Sequence, residues 1–195
     1  MRAVARALAQ AFVQHCRSTA DQPSLRRYDI GRIEDVHFNP WYSDGHPFYY
    51  WQTTHGRAFV FGRSDWEYVF NTFAFAYAIG YHFIERETGS MNGNFLGIGM
   101  DAATNASVQV DQSQVRSRLH LSHGLVWRLR SLWCDRWVAQ PYGILITNGE
   151  FTAFCDVAHG FCPPHTPDGS QFAPVHVRVL PGNQGAVKFI TSSFW

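Results

Sequence analysis

Gly143-Ile144-Leu145-Ile146-Thr147-Asn148-Gly149-Glu150-Phe151 decides the fold class. The run is apolar at nearly every position before its Asn-Gly turn, which suits a strand covered on both faces within a stacked sheet rather than one alternating between core and solvent. Similar runs of β-branched and aromatic residues occur at Gly31–Phe38, Arg57–Phe61, Trp66–Phe75, Ala106–Val110, Val175–Leu180 and Ala186–Ile190, separated by Gly, Asn, Asp and Pro clusters. This texture predicts an all-β chain. Its 195 residues, 46% hydrophobic and 16% aromatic, suffice for one domain with a real core.

Three segments share a rhythm of Ile, a few small or polar residues, then Phe: Ile33 to Phe38, Ile146 to Phe151 and Ile190 to Phe194. The second spacing of isoleucines, 44, is two units of 22, the length of one coil with three short strands; the first, 113, becomes four such units once 25 residues are removed. Arg116 to Gln140 is that long and reads as an amphipathic helical or irregular insertion, with five Arg and three Trp. Residues 1–27 form a second separate segment, a short amphipathic helix with Val4, Leu8, Phe12 and Val13 at helical spacing. Gln10, Gln14 and His15 interrupt what a secretory signal would need as an unbroken apolar run. No stretch approaches the ~18 apolar residues of a transmembrane helix.

The segments Gly31 to Pro40, Gly62 to Phe70, Asn92 to Gly99, Gly143 to Phe151 and Val187 to Trp195 resemble the rungs of pectate-lyase-like right-handed parallel β-helix proteins. The resemblance implies a solenoid over residues 28–195, interrupted at 116–140, that binds or cleaves a polysaccharide by glycoside hydrolase or lyase chemistry, in a family that is extracellular. The stop at Trp195 in mid-rung reads as a piece of a longer protein. Asn-Thr-Asp and Asp-Asp, motifs of hydrolytic members, do not occur, since Asn71-Thr72 is followed by Phe73, so no catalytic residue is carried over. A non-catalytic structural or glycan-binding solenoid is the alternative.

Ionisable groups concentrate at Arg63-Ser64-Asp65-Trp66-Glu67-Tyr68. Read as a strand, this stretch projects Arg63, Asp65 and Glu67 from one outer face, with Ser64, Trp66 and Tyr68 behind. Alternate strand residues lie about 6.6 to 7 Å apart, within the roughly 6.5 to 9.5 Å carboxyl separation of inverting glycosidases. Asp65 and Glu67 are therefore the expected acid and base, and Arg63 the group that orients substrate; in the plainer reading Arg63 neutralises both carboxylates on a solvated face. Gly45 and Pro47 mark the aromatic run from Trp41 to Trp51 as a turn or loop. There Trp41, Tyr50 and Trp51 offer flat rings to the C–H faces of a sugar, with Asp44, His46 and Gln52 at the rim, unless the rings pack on a neighbouring coil.

Cys155, His159, Cys162 and His165 lack the spacing of a standard zinc finger, and no metal or cofactor is expected. The four cysteines are too few and scattered for a disulfide scaffold. The net charge of +1 divides into +4 on residues 1–27, +4 on 116–140 and −7 on the rest, where six basic residues meet thirteen acidic ones. An acidic body repels polyanions, so the expected partner is a neutral polysaccharide or oligosaccharide and not nucleic acid. Arg128 and Arg130, two residues apart, would not share one helical face as a basic stripe requires.

Overall fold

The computed structural model describes residues 30–38, 46–114, 119–128, 142–159, 175–190 and 193–194. They form thirteen strands and one helix: β1 (Arg32–Glu34), β2 (His37–Phe38), α1 (Pro47–His55), β3 (Arg57–Phe61), β4 (Glu67–Phe75), β5 (Ile79–Phe83), β6 (Gly93–Asp101), β7 (Ala106–Val110), β8 (Leu119–Arg128), β9 (Tyr142–Ile146), β10 (Phe151–His159), β11 (Val175–Val179), β12 (Val187–Phe189) and β13 (Ser193–Phe194). The chain is mostly β, and every strand pairing between these elements is parallel.

From β3 to β12 successive strands alternate between two sheets. The longer runs β1-β4-β6-β8-β10-β12, with β2 also on β4 and β13 also on β10; the shorter runs β11-β9-β7-β5-β3. From β5 to β12 each strand thus lies beside the strand two earlier in chain order. The expected runs at Arg57–Phe61, Ala106–Val110 and Gly143–Ile146 are β3, β7 and most of β9. Two expectations fail. Residues 119–128, assigned to a helical or irregular insertion, are a strand between β6 and β10; residues 1–27 and 129–140 lie outside the described residues. A uniform coil of 22 fits only the step from Arg57 to Ile79, because Glu67 pairs with Gly93, 26 positions on, and Ala106 with Tyr142, 36 on. The strands keep register while the turns between them change length.

Register places like residues above like in the core. Phe59, Tyr81, Val108, Ile144 and Val177 form one column of the short sheet, and Ile33, Val69, Phe95, Leu121, Ala153 and Phe189 one of the long sheet. Rings fill the core between β3, β5 and β6: Phe59 stacks on Tyr81 at 4.8 Å and Phe61 on Phe83 at 5.2 Å, while Phe95 meets Phe61 and Phe83 edge-on, each at 5.1 Å. The buried Tyr81 hydroxyl lies 3.0 Å from the Thr72 carbonyl and 2.9 Å from the Thr72 hydroxyl.

Bends within the strands of the long sheet and at their ends fall in columns of left-handed backbone. Asp35, Asn71 and Gly97, with φ of 57, 46 and 65°, line up across adjacent strands of the long sheet, and the Asn71 amide donates to Asp35 Oδ1 at 2.7 Å. These residue types tolerate positive φ. Ile30 and Trp66 form a second column (φ 65 and 58°) and Ala76 and Ala102 a third (φ 59 and 55°), with no such chemistry to announce them.

Candidate functional site

The geometry of β4 begins one residue before the strand. Trp66, at φ 58°, turns the chain into β4, and inward and outward positions then alternate from Glu67. Glu67, Val69, Thr72 and Ala74 are buried, while Tyr68 and Phe70 are half-buried on the solvent side. The faces are the reverse of those read from the sequence. Glu67, the expected acid or base, enters the core with only 8% exposure because period two groups it with Val69. Trp66 and Tyr68, expected behind, stand outside, Trp66 at 56% exposure.

Asp65 does not share Glu67's environment either. Arg63 Nη2 donates to Asp65 Oδ2 at 2.7 Å and Arg63 Nη1 to the Ser90 carbonyl at 3.2 Å, while Asp65 Oδ1 accepts from Gln114 Nε2 at 2.6 Å and Asn92 Nδ2 at 3.3 Å. This carboxylate accepts three hydrogen bonds from protein donors. Glu67 Oε2 accepts from the Ser64 hydroxyl at 2.7 Å and rests against Gly31, where even a Cβ would clash. Burial pushes the Glu67 carboxyl above the usual range, opposed in part by the Ser64 hydrogen bond. The structure thus joins Arg63 to Asp65 and puts Glu67 inside, so the expected acid–base pair on one outer face is not formed.

The aromatic run is also placed differently. Trp41 and Asp44 lie outside the described residues. Pro47 starts α1 instead of a loop, since its fixed φ and missing N–H suit the first helical position, and His46 Nδ1 caps the helix by accepting from the Phe48 N–H at 3.1 Å. Gln52, expected at a ligand rim, is buried, and its Nε2 donates to the Ala76 carbonyl at 3.0 Å. Trp51 stacks between Phe48 and His55, at 6.4 and 5.9 Å. Tyr50 is 60% exposed.

What the structure assembles instead is a facet on the outer side of the long sheet. The Tyr68 and Phe70 rings lie along β4 with centroids 6.2 Å apart and planes within 9°. Trp66 stands at one end, and the exposed Leu96 is in register with Phe70 on β6. Polar residues flank the rings: Arg32, Tyr68, Asn94 and His120 share one register row, and Glu34, Phe70, Leu96 and Ser122 the next. Arg32 pairs with Glu34 at 3.3 Å. Adjacent strands lie about 4.8 Å apart, so each ring has a polar or apolar neighbour within reach on either side.

A second polar cluster lies on the short sheet. His82 Nε2 meets Asp111 Oδ2 at 2.6 Å, and Gln109 Nε2 donates to Asp111 Oδ1 at 2.8 Å. Burial lowers the His82 pKa, with Asp111 opposing and the Arg57 charge adding to the fall. Among the described residues no three His, Cys, Asp or Glu side chains gather as around a metal ion, and no helix is long and apolar enough to cross a membrane. No family model, curated protein or solved structure matches the chain.

Proposed function

We propose that the chain is a right-handed parallel β-helix that binds an uncharged polysaccharide or oligosaccharide on the outer facet of β4, without cleaving it. The solenoid reading is supported by strands β3 to β12, which alternate between two parallel sheets so that each from β5 on lies beside the strand two earlier; parallel crossovers are right-handed in about 98% of cases. The observation that carries the binding reading is the Tyr68–Phe70 pair, two near-parallel rings half-buried on the solvent side of β4, which offers the C–H groups of a sugar an aromatic apolar surface with polar side chains beside it.

The resemblance to pectate-lyase-like rungs agrees with a saccharide ligand. Catalysis by Asp65 and Glu67 is the weaker reading, since one carboxylate accepts three hydrogen bonds from protein donors and the other faces the core. The test is affinity electrophoresis through gels containing neutral β-glucan, xylan or mannan, together with an assay for reducing ends. Wild type is expected to be retarded by at least one polymer, Tyr68→Ala/Phe70→Ala to migrate freely, and no reducing ends to appear. Equal retardation of the double variant removes the facet from the reading, and release of reducing ends lost in Glu67→Gln restores catalysis.

A further inference from the structure

Trp66 is costly twice over. Its φ of 58° lies where bulky L side chains are strained, and more than half of the residue is open to solvent. Neither backbone preference nor burial accounts for a tryptophan here, and strained residues that the surroundings over-determine gather at functional sites. The surroundings of Trp66 do so. Its N–H donates to Asn92 Oδ1 at 2.9 Å. Asn92 is buried, and its amide donates to Gln114 Oε1 at 2.6 Å and Asp65 Oδ1 at 3.3 Å. Gln114 Nε2 returns to Asp65 at 2.6 Å, and Arg63 closes the ring of contacts on the other carboxylate oxygen. The peptides on either side are pinned as well, the Asn92 N–H on the Ser64 carbonyl at 3.1 Å and the Glu67 N–H on the Asn92 carbonyl at 3.2 Å.

Building on the saccharide-binding reading, we infer that Trp66 is the anchoring ring of the facet and that Asn92, backed by Gln114, Asp65 and Arg63, is the positioning residue that mounts it. Arg63 and Asp65 then serve to present a ring rather than to move a proton. The charges agree with an uncharged, polyhydroxylated ligand: Arg63 is compensated by Asp65 and Arg32 by Glu34, so neither pair offers a net charge to an ionic partner.

Calorimetric titration with soluble β-glucan, xylan and mannan, beside thermal melts of each variant, tests this. Trp66→Asn, a residue at ease at positive φ, is expected to melt at or above the wild-type temperature and to bind about tenfold or more weakly, as loss of an anchoring aromatic does. Trp66→Tyr restores most of the affinity. Asn92→Ala, with Trp66 intact, weakens binding and diminishes the ligand-induced change in indole fluorescence that Trp66→Tyr also lacks. Wild-type affinity in Trp66→Asn while Tyr68→Ala/Phe70→Ala fails to bind overturns the anchor and leaves the facet standing; wild-type affinity in Asn92→Ala overturns the mount. A melting temperature lowered by several degrees in Trp66→Asn makes the indole structural and overturns the inference. No binding by wild type to any of the three polymers overturns both this and the reading beneath it.

Discussion

Glu67 and His82 are buried titratable groups that respond to pH in opposite senses. The Glu67 carboxyl has a folded pKa raised above 4.5, chiefly by burial, so its contribution to stability is full below 4.5 and is lost as pH rises through the folded value. The His82 imidazole has a folded pKa below 6.5, chiefly by burial, so its contribution is present above 6.5 and is lost as pH falls through the folded value. Melting curves from pH 4 to 8 therefore separate them: Glu67→Gln is expected to stabilise the fold at pH 7 and to flatten the decline above pH 4.5, and His82→Gln to flatten the loss on acidification below 6.5. Glu67→Gln that destabilises at pH 7 as much as at pH 4 contradicts the first expectation. At this scale the sequence was partly legible. Asp35, Asn71 and Gly97 announce left-handed bends by their own chemistry, whereas Ile30, Trp66, Ala76 and Ala102 adopt the same backbone with none. The inward side of β4 was misread because both of its faces are apolar, Val69 and Ala74 on one and Tyr68 and Phe70 on the other, so period two alone does not say which is the core.

Among the elements, α1 is held in part by one buried side chain. Gln52 ties the helix to the corner after β4 through the Ala76 carbonyl, and its own carbonyl accepts from Gly56 and Ala78. Gln52→Ala leaves a buried carbonyl without its donor and should cost about 1 to 3 kcal/mol, read as a lower urea midpoint with the slope unchanged. Gly97 gives a cleaner measure of bend strain: at φ 65° nothing lies closer than 3.8 Å to where a Cβ would sit, so Gly97→Ala should cost only the conformational term, about 1 kcal/mol. A much larger loss would mean that the site is crowded. β8 shows why an element was missed. Leu119 and Leu121 alternate with His120 and Ser122, a strand signal four residues long, but the arginines and tryptophans around it carried a stronger helical impression. α1 was missed for the opposite reason, since its aromatic residues lack a helical stripe and Pro47 reads equally as a turn.

For the whole molecule, strand type and parallel stacking were legible because stacked strands need columns of apolar residues, and Gly143–Ile146 and Arg57–Phe61 carry them openly. Strand spacing was not, because turns of variable length between strands in register erase any fixed period. Ile33, Ile146 and Ile190 are not equivalent positions: the first is in the long sheet, the second in the short sheet and the third follows β12. The core is held most firmly where rings interlock, so Phe95→Ala, which removes the edge-on partner of Phe61 and Phe83, should cost about 3 to 5 kcal/mol. Ile146→Val, in the aliphatic part of the core, should cost about 0.5 to 1.5 kcal/mol by the same urea titration. That uneven core has a temporal side. Phe59, Phe61, Tyr81, Phe83 and Phe95 precede the aliphatic core residues Val108, Leu119, Leu121, Ile144 and Ile146 in the chain, so during synthesis the interlocking rings emerge from the ribosome first. The earliest strands can consolidate before the later ones exist, and each new strand then finds a finished edge on which to add.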